Sequence, residues 1–409
     1  MRILMISDVY FPRINGVSTS IQTFRQEFEK QGHTVHLIAP QYPAAEKPDP
    51  HILRIPSRGV LLDPEDRMMH YRRAVDLLPA IRALRPDLIH IHTPFVAHYV
   101  GVKLAAALEL PCVITYHTLF EEYLYHYIPF LPKQLLRWFA RRFSRSQCNQ
   151  ADGVIAPSTV IVDLLWGYGV NQPLHIIPTG IQCEKFAHGD GAGFRARHGI
   201  DAQRKLLLNV SRVAFEKNMG LLLEMLALVK AEVPEVLLVI AGEGPAKKAY
   251  MQQAQDMGLD AHIAFVGYLD RDGELIDCYH SADLFVFSSK TETQGLVLLE
   301  SMACGVPVVS VAAMGTRDIL IGCEGAEIAE DEAGDFARRV VRLLQNPAAL
   351  QDMGSKAQNA ALQWGSVALA NRMLAYYEEV LSGITIKSSN QSPESLSSPS
   401  GSSSSVTPR

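Results

Sequence analysis

The chain has 409 residues, 48% hydrophobic and 20% charged, enough to build two soluble globular domains. Its formal net charge of −5 lacks the global basic signature expected of a nucleic-acid-binding protein. No run of about 18 apolar residues is present, so no transmembrane helix is expected, and MRILMIS enters a strand without the apolar core and cleavage site of a signal peptide.

RILMIS reads as the first strand. In the following YFPRINGVSTS, Gly16 lets backbone approach a ligand closely, and Ser18 can cap a helix that ends at Gly32. TVHLIAP, DLIHIHT, CVITYHT and GVIAPS read as further strands with helices between them. His92 and His117 each close one of these strands, so both are expected at the same C-terminal sheet edge. Residues 123–151 contain no acid, and PKQLLRWFARRFSRSQ reads as a helix. Lys133, Arg137, Arg141 and Arg145 recur every four residues on one face; Leu135, Leu136, Phe139 and Phe143 cluster opposite, with Trp138 and Arg142 at the borders. Such a helix can lie on an anionic bilayer. It can equally pack its apolar face on the first domain and leave the basic face solvated.

The second half restarts the pattern with KLLLNVS, VLLVIAGEG, HIAFVGY, ADLFVFSS and VPVVSV separated by helices, predicting a second parallel sheet. A hinge is expected around Pro178–Phe186. This gives an N-terminal domain over residues 1–180 and a C-terminal domain over 181–364. A final helix over about 365–382 precedes a Ser- and Pro-rich tail, 383–409, expected to be disordered. Six scattered cysteines without C-x-x-C spacing suggest reduced, mostly buried thiols of a cytoplasmic protein.

Four loops carry chemistry. In SRVAFEKN, Arg212 and Lys217 supply two cations in a strand-to-helix loop, suited to a diphosphate leaving group; alone, the pair would read as surface charge. Gly242 and Gly244 in GEGP form a tight turn, and Tyr268 in GYLDR ends the next strand. Residues 291–307, TETQGLVLLESMACGVP, set Glu292 before a helix that begins near Gly295 and Glu300 in its second turn. The free N–H groups of such a start, at Gly295, Leu296 and Val297, suit a phosphate. No D-x-D metal site is evident; Asp270 and Asp272 flank Arg271 in an expected surface turn, so no metal or cofactor is called for.

The E-x7-E stretch with G-(I/L/V)-x-x-x-E and the trailing A-C-G-x-P-V-V resembles the retaining glycosyltransferases of the GT-B fold, family 4, over about residues 1–382. The resemblance implies an α/β chain of two Rossmann-like domains whose parallel sheets face an interdomain cleft. It implies that Arg212 and Lys217 contact the donor diphosphate, that Glu292 holds donor-sugar hydroxyls, and that Glu300 holds the ribose. It places Gly242 and Gly244 along the nucleotide cleft, backbone near Tyr268 against the base, Gly16 across the cleft, and His117 beside the donor sugar. It also implies a front-face mechanism in which the leaving phosphate oxygen helps deprotonate the acceptor. Tyr116, His117, Thr118 and Tyr123 match the Y-H-T-x-x-x-x-Y stretch of diacylglycerol glucosyltransferases.

The expected function is transfer of a hexose from a nucleotide sugar, UDP-hexose foremost, to a membrane lipid such as diacylglycerol. His92, Tyr123 and the basic helix would lie on the acceptor and membrane side of a cytoplasmic, peripheral protein. Alternatives are transfer to a soluble sugar or polysaccharide precursor, an inactive nucleotide-sugar-binding protein, and an epimerase or hydrolase of similar fold.

Overall fold

A computed structural model describes residues 1–43, 48–60, 63–117, 132–271 and 273–383, with backbone only at 63–66 and at Lys133. Thr118, Tyr123, Asp272 and the tail from residue 384 lie outside the described residues.

In chain order the first half contributes β1 (Arg2–Ile6), β2 (Thr34–Pro40), β3 (Ile52–Ile55), β4 (Ser57–Val60), β5 (Asp63–Met69), β6 (Leu88–Ile91), β7 (Cys112–Thr115), β8 (Gly153–Ala156) and β9 (Leu174–Ile176). The second half contributes β10 (Lys205–Val210), β11 (Val236–Ala241), β12 (Ile263–Gly267), β13 (Leu284–Phe287), β14 (Val308–Val311) and β15 (Ala326–Ala329). Seven strands form one parallel sheet in the order β3-β2-β1-β6-β7-β8-β9; six form a second, β12-β11-β10-β13-β14-β15; β4 and β5 make a separate antiparallel pair. The central strands are apolar runs because helices cover both faces of each sheet.

Helices Gly16–Lys30 and Ser366–Leu381 share one core with the first sheet, joining Phe24, Phe28 and Tyr377 to Ile3, Met5 and Leu37. Helix Val96–Leu108 covers the opposite face through Val100 and Leu104. In the second half, Met219–Glu232 and Ala333–Leu344 pack on one side and Leu296–Ala303 on the other. The final helix therefore returns to the first sheet. The two crossings meet where the Ile181 N–H donates to Trp364 O (2.8 Å) and the Ser366 N–H to Ile181 O (2.9 Å). A Cβ at Gly180 would sit 2.4 Å from Ser366 Cα, so the crossing requires glycine there.

Each sheet reverses its strand order once, between β1 and β6 and between β10 and β13. Loops leaving the C-terminal ends of such neighbours run in opposite directions and open a crevice. Those loops are residues 7–15 and 92–95 in the first sheet and 211–218 and 288–295 in the second.

Helix Lys133–Cys148 divides its faces differently from the sequence expectation. Leu136, Ala140, Ser144 and Gln147 turn inward, whereas Leu135 and Phe139 are exposed beside Trp138. Tertiary packing selects a stripe one position round the helix from the largest apolar residues. Among the described residues no helix is long and apolar enough to cross a membrane. All six cysteines are free thiols, with Cys112, Cys148 and Cys278 buried.

Candidate active site

The two crevices face each other across a cavity of about 450 Å³. The first sheet contributes Gly16 and His117. The second contributes Arg212 and Lys217 after β10, Gly242 after β11, Tyr268 after β12, and Glu292, Gly295, Leu296, Val297 and Glu300 after β13. Sequence positions scattered over almost 300 residues thus meet on one surface because parallel strands deliver their following loops to one sheet edge.

Each loop has a local reason for its path. Gly295 adopts φ 98°, ψ 52° as the residue before helix Leu296–Ala303, a left-handed conformation that a β-carbon disfavours. Gly242 has φ 139°, and a Cβ there would lie 2.0 Å from Ser211 O. A Cβ added to Gly16, in contrast, meets nothing within 4 Å, so this glycine leaves space at the cavity wall. Asn15 caps the helix behind it, its Oδ1 accepting from the Ser18 N–H at 2.8 Å.

The charged groups are coupled. Lys217 Nζ lies 2.6 Å from Glu292 Oε1, with about a fifth of each side chain exposed (19% and 20%). Burial pushes the Glu292 carboxyl up, but the Lys217 charge and hydrogen bond, with help from Ser289, outweigh it and hold the group below the usual carboxylate range. Glu300 is buried; one carboxylate oxygen pairs with Arg271, and the other accepts from Tyr279 Oη at 2.8 Å. Burial, reinforced by Glu300, drives the Tyr279 phenol well above its ordinary range, so it remains a donor. Across the cavity, burial lowers His117 to about 4, leaving a neutral imidazole at neutral pH.

Some expected positions lie elsewhere. Gly244 does not line the cavity; a Cβ there would sit 2.3 Å from Val213 O, so close backbone packing accounts for it. His92 does not reach a cavity wall: it is buried behind His117, its Nδ1 3.2 Å from His117 Nε2. Arg137, Trp138, Arg141 and Arg145 are exposed on their helix, away from this cavity. Trp138, Arg141 and Arg145 instead line a surface groove with Tyr168, whose ring lies 5.6 Å from the Arg141 guanidinium carbon.

Sequence reasoning missed Arg271 and Tyr279. Arg271 turns from its loop into the cleft to reach Glu300, and an arginine between two aspartates gave no reason to expect it there. Tyr279 sits in the short helix Glu274–His280 beside buried Leu275, Ile276 and Cys278, and no local pattern there marks a partner for Glu300. Also unforeseen were contacts between the halves. Gln294 exchanges two hydrogen bonds with the Thr179 backbone, at 2.8 and 2.7 Å. Asp318 accepts from the Thr159 N–H at 2.7 Å and its hydroxyl at 2.6 Å. A second cavity of about 690 Å³ runs along helix Gly16–Lys30 and shares Arg271, Leu296 and Glu300 with the first. Among the described residues no group of three or more His, Cys, Asp or Glu could hold a metal ion.

Comparison with known proteins bears on the family and the fold. The family model described as glycosyl transferases group 1 matches residues 192–360, and that described as glycosyltransferase family 4 matches residues 14–185. An alpha-monoglucosyldiacylglycerol synthase from Streptococcus pneumoniae is 36% identical over 323 residues, covering 76% of this chain and 71% of that protein. One of the same description from Acholeplasma laidlawii is 27% identical over 88% of this chain and 92% of that protein. A GDP-mannose-dependent alpha-mannosyltransferase from Mycobacterium tuberculosis is 28% identical over 78% of this chain and 81% of that protein. Among solved structures, HepE from Anabaena in complex with UDP superposes with a TM-score of 0.72 at 18% identity, over 93% of this chain and 100% of that one. Sucrose-phosphate synthase from Thermosynechococcus elongatus gives 0.75 at 21%, over 93% and 99%. With its two parallel-sheet halves facing one cleft, the chain belongs to the family 4 glycosyltransferases and has the GT-B fold.

Proposed function

We propose that this protein transfers a hexose from a nucleotide sugar, UDP-hexose foremost, to the hydroxyl of a membrane lipid such as diacylglycerol, with retention at the anomeric carbon. The observation that carries the reading is the Lys217–Glu292 pair set between Arg212 and the start of helix Leu296–Ala303 on one cavity wall. Lys217 keeps two N–H donors beyond the one on Glu292. With Arg212 and the N–H groups at Gly295, Leu296 and Val297 it would neutralise the donor diphosphate. Glu292 would accept from sugar hydroxyls, and His117 would face the sugar from the other domain. Glu300 would receive the ribose hydroxyls by exchanging Arg271 for them while Tyr279 keeps its grip. Gly242 and Tyr268 would flank the base.

In the reaction the bond from the anomeric carbon to the diphosphate oxygen breaks. The acceptor oxygen bonds to the same carbon from the same face, and its proton passes to the leaving phosphate oxygen. The nucleoside diphosphate departs, its charge held by Arg212 and Lys217. Cations and helix N–H groups do here what a metal does elsewhere.

The lipid acceptor is supported by the synthases named above and by helix Lys133–Cys148. Its outer surface combines exposed Leu135, Trp138 and Phe139 with Arg137, Arg141, Arg142 and Arg145. Mixed apolar and cationic exposure on one helix suits an anionic bilayer interface, and would make the protein peripheral on the cytoplasmic face. We place the domain boundaries where the chain crosses, 1–180 with the final helix at about 365–382, and 181–364.

The test is sugar transfer by the purified protein from UDP-, GDP- and ADP-hexoses to diacylglycerol in anionic vesicles and to soluble sugars. A glycolipid from a UDP-hexose is the expected result; a soluble glycan alone would reject the lipid acceptor. Replacing Trp138, Arg141 and Arg145 by serine should lower vesicle binding and glycolipid yield together. Unchanged sedimentation with vesicles would remove the docking role of the helix.

A further inference from the structure

Behind the cavity wall the first sheet stacks three histidines. His90 in β6 and His92 just after it are two residues apart and so share one face, as do Thr115 at the end of β7 and His117 beyond it. The strands pair in parallel with His90 opposite Val113, which brings the two sets side by side. His90 is fixed at both ring nitrogens: Nδ1 lies 2.6 Å from Tyr377 Oη and Nε2 2.7 Å from Thr115 Oγ1. The His92 ring lies 3.9 Å from that of His90, so its plane is set from behind. In front, His92 Nδ1 is 3.2 Å from His117 Nε2, with the rings 20° from parallel. His92 Nε2 is buried and has no hydrogen-bond partner among the described residues. Only His117 of the three lines the cavity.

We infer that His92 is a positioning residue, donating its Nδ1–H to His117 Nε2 and so holding His117 in the tautomer with its proton on Nδ1. Burial keeps both rings neutral, which leaves two ways to make the bond. If His117 donated, the proton of His92 would sit on Nε2 as a buried N–H without an acceptor. If His92 donates, Nε2 is only an unpaired acceptor. Orphaned buried N–H groups are the rarer and costlier of the two. The bond a ring makes at one nitrogen fixes what it offers at the other. His117 therefore has its lone pair committed to His92 and offers a ligand an N–H. On the reading of this cavity as the donor-sugar site, it orients a sugar hydroxyl or phosphate oxygen and does not act as a base.

Long-range proton–nitrogen correlation on protein labelled with ¹⁵N-histidine reads the tautomer directly, with the His117 signal assigned from His117→Gln. The wild type should show His117 protonated on Nδ1. His92→Phe, which cannot donate, should move the proton to Nε2 and lower kcat roughly tenfold, the loss of one aligned hydrogen bond, with donor KM within about twofold. His92→Asn, whose amide N–H takes the place of Nδ1–H, should restore the tautomer and most of kcat. A wild-type His117 protonated on Nε2, or an Nδ1 tautomer that persists in His92→Phe, overturns the inference. Should His92→Phe not fold, the wild-type spectrum still decides. No donor is needed for the spectrum, so an inactive wild type would reject the proposed function while the tautomer stands or falls separately.

Discussion

At the scale of single residues, the cleft is organised by ionisable groups that satisfy one another before a ligand arrives. Lys217 and Glu292 are each mostly buried, and removing one leaves the other uncompensated. Lys217→Met and Glu292→Gln should each lower unfolding free energy by roughly 2 kcal/mol, and the double variant should recover most of the loss. Urea unfolding checks this; additive losses would mean the pair is not coupled. Activity should behave otherwise, since each partner is proposed to touch the donor: kcat/KM should fall at least about a hundredfold in both singles and stay low in the double.

Asp8 makes a different residue-scale case. Its carboxylate accepts from Thr93 Oγ1 at 2.8 Å and from the Ala97 N–H at 3.1 Å, tying the loop after β1 to the start of helix Val96–Leu108. Burial raises its pKa to about 6 against these hydrogen bonds. The folded protein therefore holds this proton more tightly than the unfolded chain does. The Asp8 contribution is fully present below about pH 4 and is lost as pH rises through about 6, on the order of 2–3 kcal/mol at most. Asp8→Asn should flatten that part of the stability–pH curve; an unchanged slope would show that Asp8 does not titrate in this range.

At the scale of elements, the loops after β1, β11 and β13 are shaped by glycines with distinct duties. Gly16 faces open space in the cavity, whereas Gly242 is held by its φ and by contact with Ser211 O. Gly16→Val should fold normally yet weaken donor binding at least roughly tenfold, because its branches would occupy the volume proposed for the donor. Gly242→Ala should instead lower the melting temperature. Calorimetric titration with the nucleotide diphosphate, beside thermal melts, separates the two; normal binding by a folded Gly16→Val would place the donor elsewhere. Elements of this kind were largely legible in the sequence. Apolar runs such as VLLVIA and ADLFVFSS announced the central strands, and Gly295 announced a helix start. The short, partly polar edge strands β3, β9 and β15 escaped notice because one or both faces lack an apolar signature. The inward stripe of helix Lys133–Cys148 was misjudged because long-range packing, not residue size, chooses it.

At the scale of the molecule, the halves are latched by contacts that no local pattern signals. Gln294 reaches Thr179, and Asp318 takes the place of a cap on helix Thr159–Gly167. Glu27 accepts from Gln182 at 3.0 Å and from Ser366 at 3.1 Å, joining the first helix to both chain crossings. Their partners lie more than 100 residues apart, so they appear only once both sheets are in place. Arg271 beside Glu300 was hidden for a related reason, since the two come from different strand–loop–helix units, while the E-x7-E spacing and the R-x4-K loop were readable because each sits within one such unit. Asp318→Ala removes one latch without touching the cavity. It should enlarge the radius of gyration by X-ray scattering and raise donor KM by about threefold, with kcat little changed. An unaltered scattering curve and KM would show that this contact does not govern closure.

The most direct measurement is the anomeric configuration of the product. Purified protein would be given UDP-α-hexose and diacylglycerol in anionic vesicles, and the glycolipid's anomeric proton coupling read by NMR. An α-linked glycolipid that is lost in Glu292→Gln and Lys217→Ala is expected. A β-linked product, or full yield from those variants, would contradict the proposed reaction.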